Sequence, residues 1–288
     1  MMQVASPPNA DSPRGRLIAS CAQRPNLAGQ LESFLKQPGM QSEDINYRTI
    51  NGTTPLMMAC ISGNQIAVKL LLRHPLVLVA LPTMTGYTAL HFAASCRSSA
   101  QAWPILRLLC DHRGADEVDI NCLTEDNTSP LWLACLENRV PSVSFILAYF
   151  AVGRLQLGVK SSSQGNEDVL WIGKTALEVA RGDTRKLIQR YVDDPLRTRN
   201  ELRLELGFVA EDVALDFAAG VLLSDHFLLL RHHITDCDHR AQRFWAILRM
   251  LPMELQMLLC HRRQSSPKQT VLKKHLESAL HTLIASLV

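Results

Sequence analysis

The sequence predicts a mainly α-helical solenoid of turn-helix-helix units followed by a separate helical region, and three observations carry that prediction. A five-residue signature recurs four times between residues 52 and 177. Apolar residues at helical spacing follow its copies, and the signature disappears after Asp193-Asp194-Pro195.

The copies are Gly52-Thr53-Thr54-Pro55-Leu56, Gly86-Tyr87-Thr88-Ala89-Leu90, Asn127-Thr128-Ser129-Pro130-Leu131 and Gly173-Lys174-Thr175-Ala176-Leu177. The Thr or Ser at the third position supplies a side-chain oxygen that caps a helix, and proline just after it loses no needed backbone donor. Gly52, Gly86 and Gly173, with Asn127 in the same place, suit a tight turn at positive φ before each helix. Two residues after each cap stands a leucine, and five after it an alanine: Ala59, Ala93, Ala134 and Ala180. Such a small side chain lets the helix approach its neighbours closely. A second helix follows, carrying Ile66, Val68, Leu70, Leu71 and Leu72, then Ile105, Leu106, Leu108 and Leu109, then Val143, Ile146 and Leu147.

This pattern resembles the ankyrin repeat, whose Gly-x-Thr-Pro-Leu-His signature is matched best by residues 86–91 and 52–56. The resemblance covers residues 44–192, about half the chain. Asp44-Ile45-Asn46 and Asp119-Ile120-Asn121 look like the family's finger-loop start, each Asn eight residues before its cap. The caps are 34, 41 and 46 residues apart, so insertions are expected, at 96–103 and 112–118 in the second unit and at 151–168 after the third. Leu27, Leu31, Phe34 and Leu35 share one helical face and fit a degenerate half repeat that caps the stack. The expected domains are a flexible tail over 1–22, an ankyrin-repeat domain over 23–192 and a helical region over 193–288 with a possible F-box-like segment at 244–288.

The resemblance implies a non-catalytic protein-binding scaffold. By the family's register, the partner-facing residues are Ile50, Asn51, Thr53, Ile61, Ser62, Met84, Thr85, Tyr87, Ser95, Cys96, Glu125, Asp126, Thr128, Leu136, Glu137, Trp171 and Lys174. It also implies that His91 ties neighbouring repeats together. Cys60 and Cys135, six residues after their caps, read as packing residues rather than chemistry.

Composition restricts the remaining choices. Hydrophobic residues make up 47% of the 288 and charged residues 20%, as in folded soluble proteins. Thirty Lys and Arg against 27 Asp and Glu give a net charge of +3, too weak a field for a dedicated nucleic-acid binder. The most apolar run, 220–230, is interrupted by Asp225 and His226, so no membrane span is expected. Pro7, Pro8, Asn9, Asp11, Ser12 and Pro13 stand where a secretory segment would be apolar, which predicts an uncleaved tail. The eight cysteines, at 21, 60, 96, 110, 122, 135, 237 and 260, show no short paired spacing; reduced thiols in a cytoplasmic setting, with the nucleus as a second compartment, are expected.

Residues 202–230 read as long amphipathic or fully buried helix, with little turn chemistry apart from Gly207 and Gly220. From Asp193 onward twelve basic and twelve acidic residues balance, against a basic nucleic-acid face. His232, His233, Cys237 and His239, with Cys260 and His261 further on, match no zinc spacing and read as a polar loop with Asp236 and Asp238 as turn formers. Neither metal nor cofactor is expected. Leu-Pro-x-Glu-Leu at 251–255 resembles the opening of an F-box, and its position behind ankyrin repeats is similar to that in poxviral ankyrin proteins that recruit a cullin ubiquitin ligase through a Skp1-type adaptor. That resemblance implies adaptor contacts by Leu251, Pro252, Leu255, Leu258 and Leu259. A SOCS box fits less well, because Cys260 lies five residues after Leu255 and the Leu-x-x-x-Cys spacing is absent. No phosphate loop, nucleophile elbow or His-Glu-x-x-His is present, so no enzyme is expected. Two readings stand: a monomeric ankyrin scaffold for protein partners, or a substrate adaptor of a ubiquitin ligase.

Overall fold

The structure is a computed structural model that describes residues 12–96, 98–112, 119–162, 171–224, 239–248, 250–264, 271, 275–276, 279–280 and 283. The chain divides into two compact units, Met1–Arg199 and Asn200–Val288.

In the first unit, helices alternate between an inner and an outer row. The inner row is α1 (Pro13–Gln23), α4 (Pro55–Ser62), α6 (Ala89–Ala94), α8 (Pro130–Leu136) and α10 (Ala176–Val179). The outer row is α2 (Ala28–Leu35), α5 (Gln65–Leu72), α7 (Ser99–Cys110), α9 (Val140–Tyr149) and α11 (Gly182–Asp193). The short α3 (Ser42–Ile45) precedes the first finger. Each inner helix packs on the next inner helix and each outer helix on the next outer one. The caps work as the signature predicts: Thr54 Oγ1 accepts the Met57 N–H at 3.3 Å and Ser129 Oγ accepts the Trp132 N–H at 3.1 Å. At Thr88 and Thr175 the box closes from the other side, the cap N–H donating to His91 Nδ1 at 3.1 Å and to Glu178 Oε2 at 2.7 Å. Ala59, Ala93, Ala134 and Ala180 are all buried, which is what lets four thin inner helices stack. Leu56, Leu90 and Leu131 are buried with them, whereas Leu177, in the one-turn α10 of the final pair, is only half-buried.

Three expectations change here. The tail expected over 1–22 is helix from Pro13 onward, with Ile18, Cys21 and Ala22 buried; residues 1–11 lie outside the described residues. The expected half-repeat cap is therefore a full helix pair, α1 with α2. Ser12 Oγ caps α1 by accepting the Gly15 N–H at 2.9 Å, the same Ser-Pro start as Ser129-Pro130, but without a leucine two residues later. Gly15 is a packing necessity, since a Cβ there would lie 2.5 Å from Tyr47 Cβ.

The second change concerns the insertion expected at 96–103. Ser98 follows its cap by ten residues, as Asn64 and Arg139 do, and all three are outer-helix N-caps. The second unit is lengthened after that point, by the 12-residue α7 and by residues 112–118, of which 113–118 lie outside the described residues. The third change, at 151–168, belongs to the fingers below.

The second unit begins within α12 (Pro195–Glu205), followed by α13 (Phe208–Ser224), α14 (His239–Leu248) and α15 (Met253–Arg263). Of the two glycines that mark 202–230, Gly207 takes φ 81° and separates α12 from α13, while Gly220 lies inside α13; residues 225–230 lie outside the described residues. Val209, Val213, Phe217, Leu248 and Cys260 form its core, with Phe244, Trp245, Met257 and Leu259 packed around them. Asp212 pairs with Arg203, and Gln264 Nε2 donates to Asp216 at 2.8 Å.

Candidate functional site

Between the helix pairs the chain runs out in fingers that repeat one hydrogen-bond pattern. Thr49 N–H donates to Thr53 O, Thr83 N–H to Tyr87 O, Thr124 N–H to Thr128 O and Ser161 N–H to Lys174 O, at 2.7 to 3.1 Å. The turn inside each is closed by Gly52, Gly86, Asn127 or Gly173, whose N–H returns to the carbonyl of the same Thr or Ser. All four turn residues have positive φ, Asn127 at 53° included. A hydroxyl stands at the base of every finger. Thr49, Thr83 and Thr124 each use Oγ1 to accept a second bond from the returning strand, and Ser161 Oγ donates to Trp171 O. The sequence carried this signal as a Thr five residues before the caps Thr54, Thr88 and Ser129, and it was not read.

Neighbouring fingers are joined at their tips. Met84 N–H donates to Asn51 O at 3.1 Å, Glu125 N–H to Thr85 O at 3.2 Å and Ser162 N–H to Asp126 O at 2.8 Å. The result is a continuous edge, backbone-locked from finger to finger. Ile50 stands on it 80% exposed and Met84 49%, with Asn51, Thr85, Glu125 and Asp126 exposed beside them.

This register also relocates the third insertion. Asn46 Nδ2 donates to Leu76 O at 2.7 Å and its Oδ1 accepts the Leu78 N–H at 2.8 Å. Asn121 makes the same two bonds to Arg154 O and Gln156 N–H, at 2.8 and 3.0 Å. Residues 151–160 thus occupy the place of 73–82 and are ordinary connection. The extra length lies inside the fourth fingertip, between Ser161 and Gly173, where the other fingers hold two residues; of it, 163–170 lie outside the described residues.

The candidate residues divide by burial. Thr53, Tyr87, Ile61, Ser62, Leu136, Trp171 and Lys174 are half-buried, and Glu137 is exposed and paired with Arg139 at 3.0 Å. Ser95, Cys96 and Thr128 are buried and do not face a partner. Ser95 Oγ bonds the His91 carbonyl at 2.9 Å, Cys96 turns its thiol inward to Ser98 O, and Thr128 Oγ1 is shared with Thr124 Oγ1 at 2.7 Å. Arg181 was missed. Its guanidinium lies 4.7 Å from the centre of the Trp171 ring, and Lys174 Nζ lies 5.8 Å from it.

One pair of side chains has the elements of a nucleophile and base: Cys122 Sγ lies 3.8 Å from His91 Nδ1. Its electrostatics oppose that chemistry. Burial pushes the Cys122 thiol up to about 11 and the His91 imidazole down to about 4, so both are neutral near pH 7 and no thiolate is supplied. Among the described residues no cluster of three or more His, Cys, Asp and Glu could hold a metal, and no helix is long and apolar enough to cross a membrane. Of the sequence cluster, His232, His233 and Cys237 lie outside the described residues, while Cys260 and His261 are buried in the second unit.

Of the five adaptor-contact candidates, Leu255 is 46% exposed and Pro252 exposed; Leu251 and Leu258 are half-buried, and Leu259 packs on the unit's own core.

Residues 18–117 match the family model of ankyrin repeats, in three copies. No curated protein matches the chain.

Proposed function

From the premise that residues 18–117 are ankyrin repeats, a protein-interaction module, we propose that the chain is a non-catalytic, monomeric cytoplasmic scaffold that holds a protein partner along its fingertips. The observation that carries this reading is the tip-to-tip backbone ladder. It fixes exposed Ile50 and Met84 and the acidic pair Glu125 and Asp126 on one rigid edge, so little order must be imposed on binding. The test is affinity capture with the full chain beside Ile50→Asp/Met84→Asp, two exposed changes that leave the ladder's backbone bonds in place. Proteins captured by the wild type and lost with the variant support the reading. A variant that melts normally and keeps every captured protein overturns it.

A second reading, the ligase adaptor, is favoured by one feature of the second unit. Ile247, Met250, Met253 and Leu255 are exposed apolar residues within one short stretch around the Leu-Pro break. Two of the five expected contacts, Pro252 and Leu255, are open to a Skp1-type adaptor, while Leu259 serves the unit's own core. Purified Skp1 added at micromolar concentration to the full chain tests it: Leu255→Asp should abolish co-purification, and a wild-type chain that binds none ends this reading.

A further inference from the structure

The first two signature-bearing repeats hold no carboxylate. From Ile45 to Cys110 the sequence carries Arg48, Lys69, Arg73, Arg97 and Arg107 and neither Asp nor Glu, although the whole chain is nearly balanced at +3. The acids that border this stretch are engaged. Asp44 accepts from Ser12 Oγ at 2.5 Å and from the Gln41 N–H at 3.2 Å, and Asp111 accepts from Arg107 Nε at 3.1 Å and from the Tyr149 hydroxyl at 2.7 Å. Of the five cations, Arg48 is the one built into the fingers.

Arg48 stands just before the finger base Thr49 and is only 5% exposed. Its guanidinium crosses to the second finger, where Nη2 donates to Pro82 O at 2.8 Å. It packs beside the first turn: a Cβ on Gly52 would lie 2.9 Å from both Arg48 Nη2 and Met84 N, so glycine leaves room for the cation between the two tips. Nε is buried with no partner. Nη1 has no partner among the described residues either and, unlike Nε, is not enclosed, so the group meets solvent through it. Leu123 and Lys160, in the same place before the third and fourth finger bases, are exposed, which makes this row part of the surface. A guanidinium stays charged at any physiological pH, and enclosing it without a carboxylate opposes folding through its lost hydration.

We propose that the seam between the first and second fingertips receives an acidic side chain of the protein partner, whose carboxylate pairs with Arg48 while apolar neighbours in the same segment cover the exposed Ile50 and Met84. This rests on the scaffold reading and deepens it. One open nitrogen suits one carboxylate; a phosphate group, with about two charges and three oxygens, would leave oxygens unpaired against those apolar tips. Glu125 and Asp126 on the third tip repel further acidic residues, so the acidic side chain lies at the first-finger end of the bound segment.

The experiment uses the full chain and an end-capped, rhodamine-labelled Gly-Ser-Leu-Glu-Leu-Ser-Gly peptide, read by anisotropy at low and moderate salt. Saturable binding is expected, weakened several-fold by moderate salt and about tenfold when Gln replaces Glu in the peptide. Arg48→Met should erase that preference for Glu, and Lys69→Met, the same loss of charge on the exposed face of α5, should leave it unchanged. Arg48→Lys, which keeps the charge without the planar fork, should retain the preference at lower affinity. Because Arg48→Met removes an unneutralised charge and one bond to a carbonyl, it should melt no lower than the wild type. Absence of saturable binding, equal binding of the Glu and Gln peptides, or a preference that survives Arg48→Met overturns the proposal. Tighter binding of the peptide with phosphoserine in place of Glu, or of an RNA oligonucleotide, overturns the carboxylate assignment. If the peptide ignores Arg48 while captured proteins still depend on Ile50 and Met84, this inference alone fails; if captured proteins ignore those tips, the scaffold reading fails.

Discussion

His91 and Trp132 stand three residues after the caps of successive repeats, and each donates a ring N–H to the carbonyl just before the next cap. His91 Nε2 reaches Thr128 O at 3.0 Å and Trp132 Nε1 reaches Lys174 O at 2.9 Å. His91 Nδ1 accepts the Thr88 N–H, which places the ring proton on Nε2. One repeat junction is therefore titratable and its neighbour is not.

The titratable junction makes stability depend on pH. Burial lowers the His91 pKa from 6.5 to about 4, against the smaller raising effect of its bond to Thr128. The unfolded chain then binds a proton that the folded chain refuses, so this contribution is complete above about pH 6.5 and is lost as pH falls toward 4. A shift of that size is worth on the order of 3 kcal/mol. Denaturant melts between pH 7 and 5 should show the loss, and His91→Gln should flatten the slope while Trp132→Phe costs about 1 to 2 kcal/mol at every pH.

Asn46 and Asn121 each bridge a finger base to the following connection with one donated and one accepted bond. Alanine at either leaves a backbone N–H and a carbonyl without their partner, at a cost of about 1 to 3 kcal/mol. Asn46 is 7% exposed and Asn121 half-buried, so water replaces the lost bonds more readily at the second. Urea melts should therefore rank Asn46→Ala as the more damaging change, and the reverse order would contradict the geometry.

Gly86 and Gly173 share a positive φ but differ in what surrounds them. A Cβ on Gly86 would lie 3.0 Å from Thr124 Cα, whereas among the described residues nothing lies within 4 Å of one on Gly173. Gly173→Ala should cost about 1 kcal/mol from the backbone conformation alone, and Gly86→Ala distinctly more, because the next finger must move. Thermal melts of the two variants check the difference.

Cys60 and Cys135 are fully buried on inner helices, and desolvation raises both thiols well above the ordinary range. Neither should react with iodoacetamide in the native chain at pH 8, and both should be labelled once the chain is unfolded. Ala93→Leu, at a neighbouring inner-helix site with no exposure, should cost about 1 to 3 kcal/mol by overpacking and expose the same row.

The repeat architecture was legible in the sequence because its cause is local. A capping hydroxyl, the proline or alanine after it, a left-handed turn residue and a small helix face act within ten residues, and all four copies carry them. Even Asn127 in the place of glycine was readable, since asparagine tolerates the same φ. Three matters lay beyond that range. Ser12-Pro13 starts a helix as Ser129-Pro130 does, yet only its burial against α4 separates it from a tail. The extra residues before Thr175 had no visible position until Asn121 met Arg154 and Ser161 met Lys174, contacts 33 and 13 residues apart that assign them to the fingertip. Arg181, outside every signature, meets Trp171 only because folding lays its guanidinium over that ring. Local capping and turn chemistry determine that such units form; which residues line their shared edge is decided by packing between units, where distant segments meet.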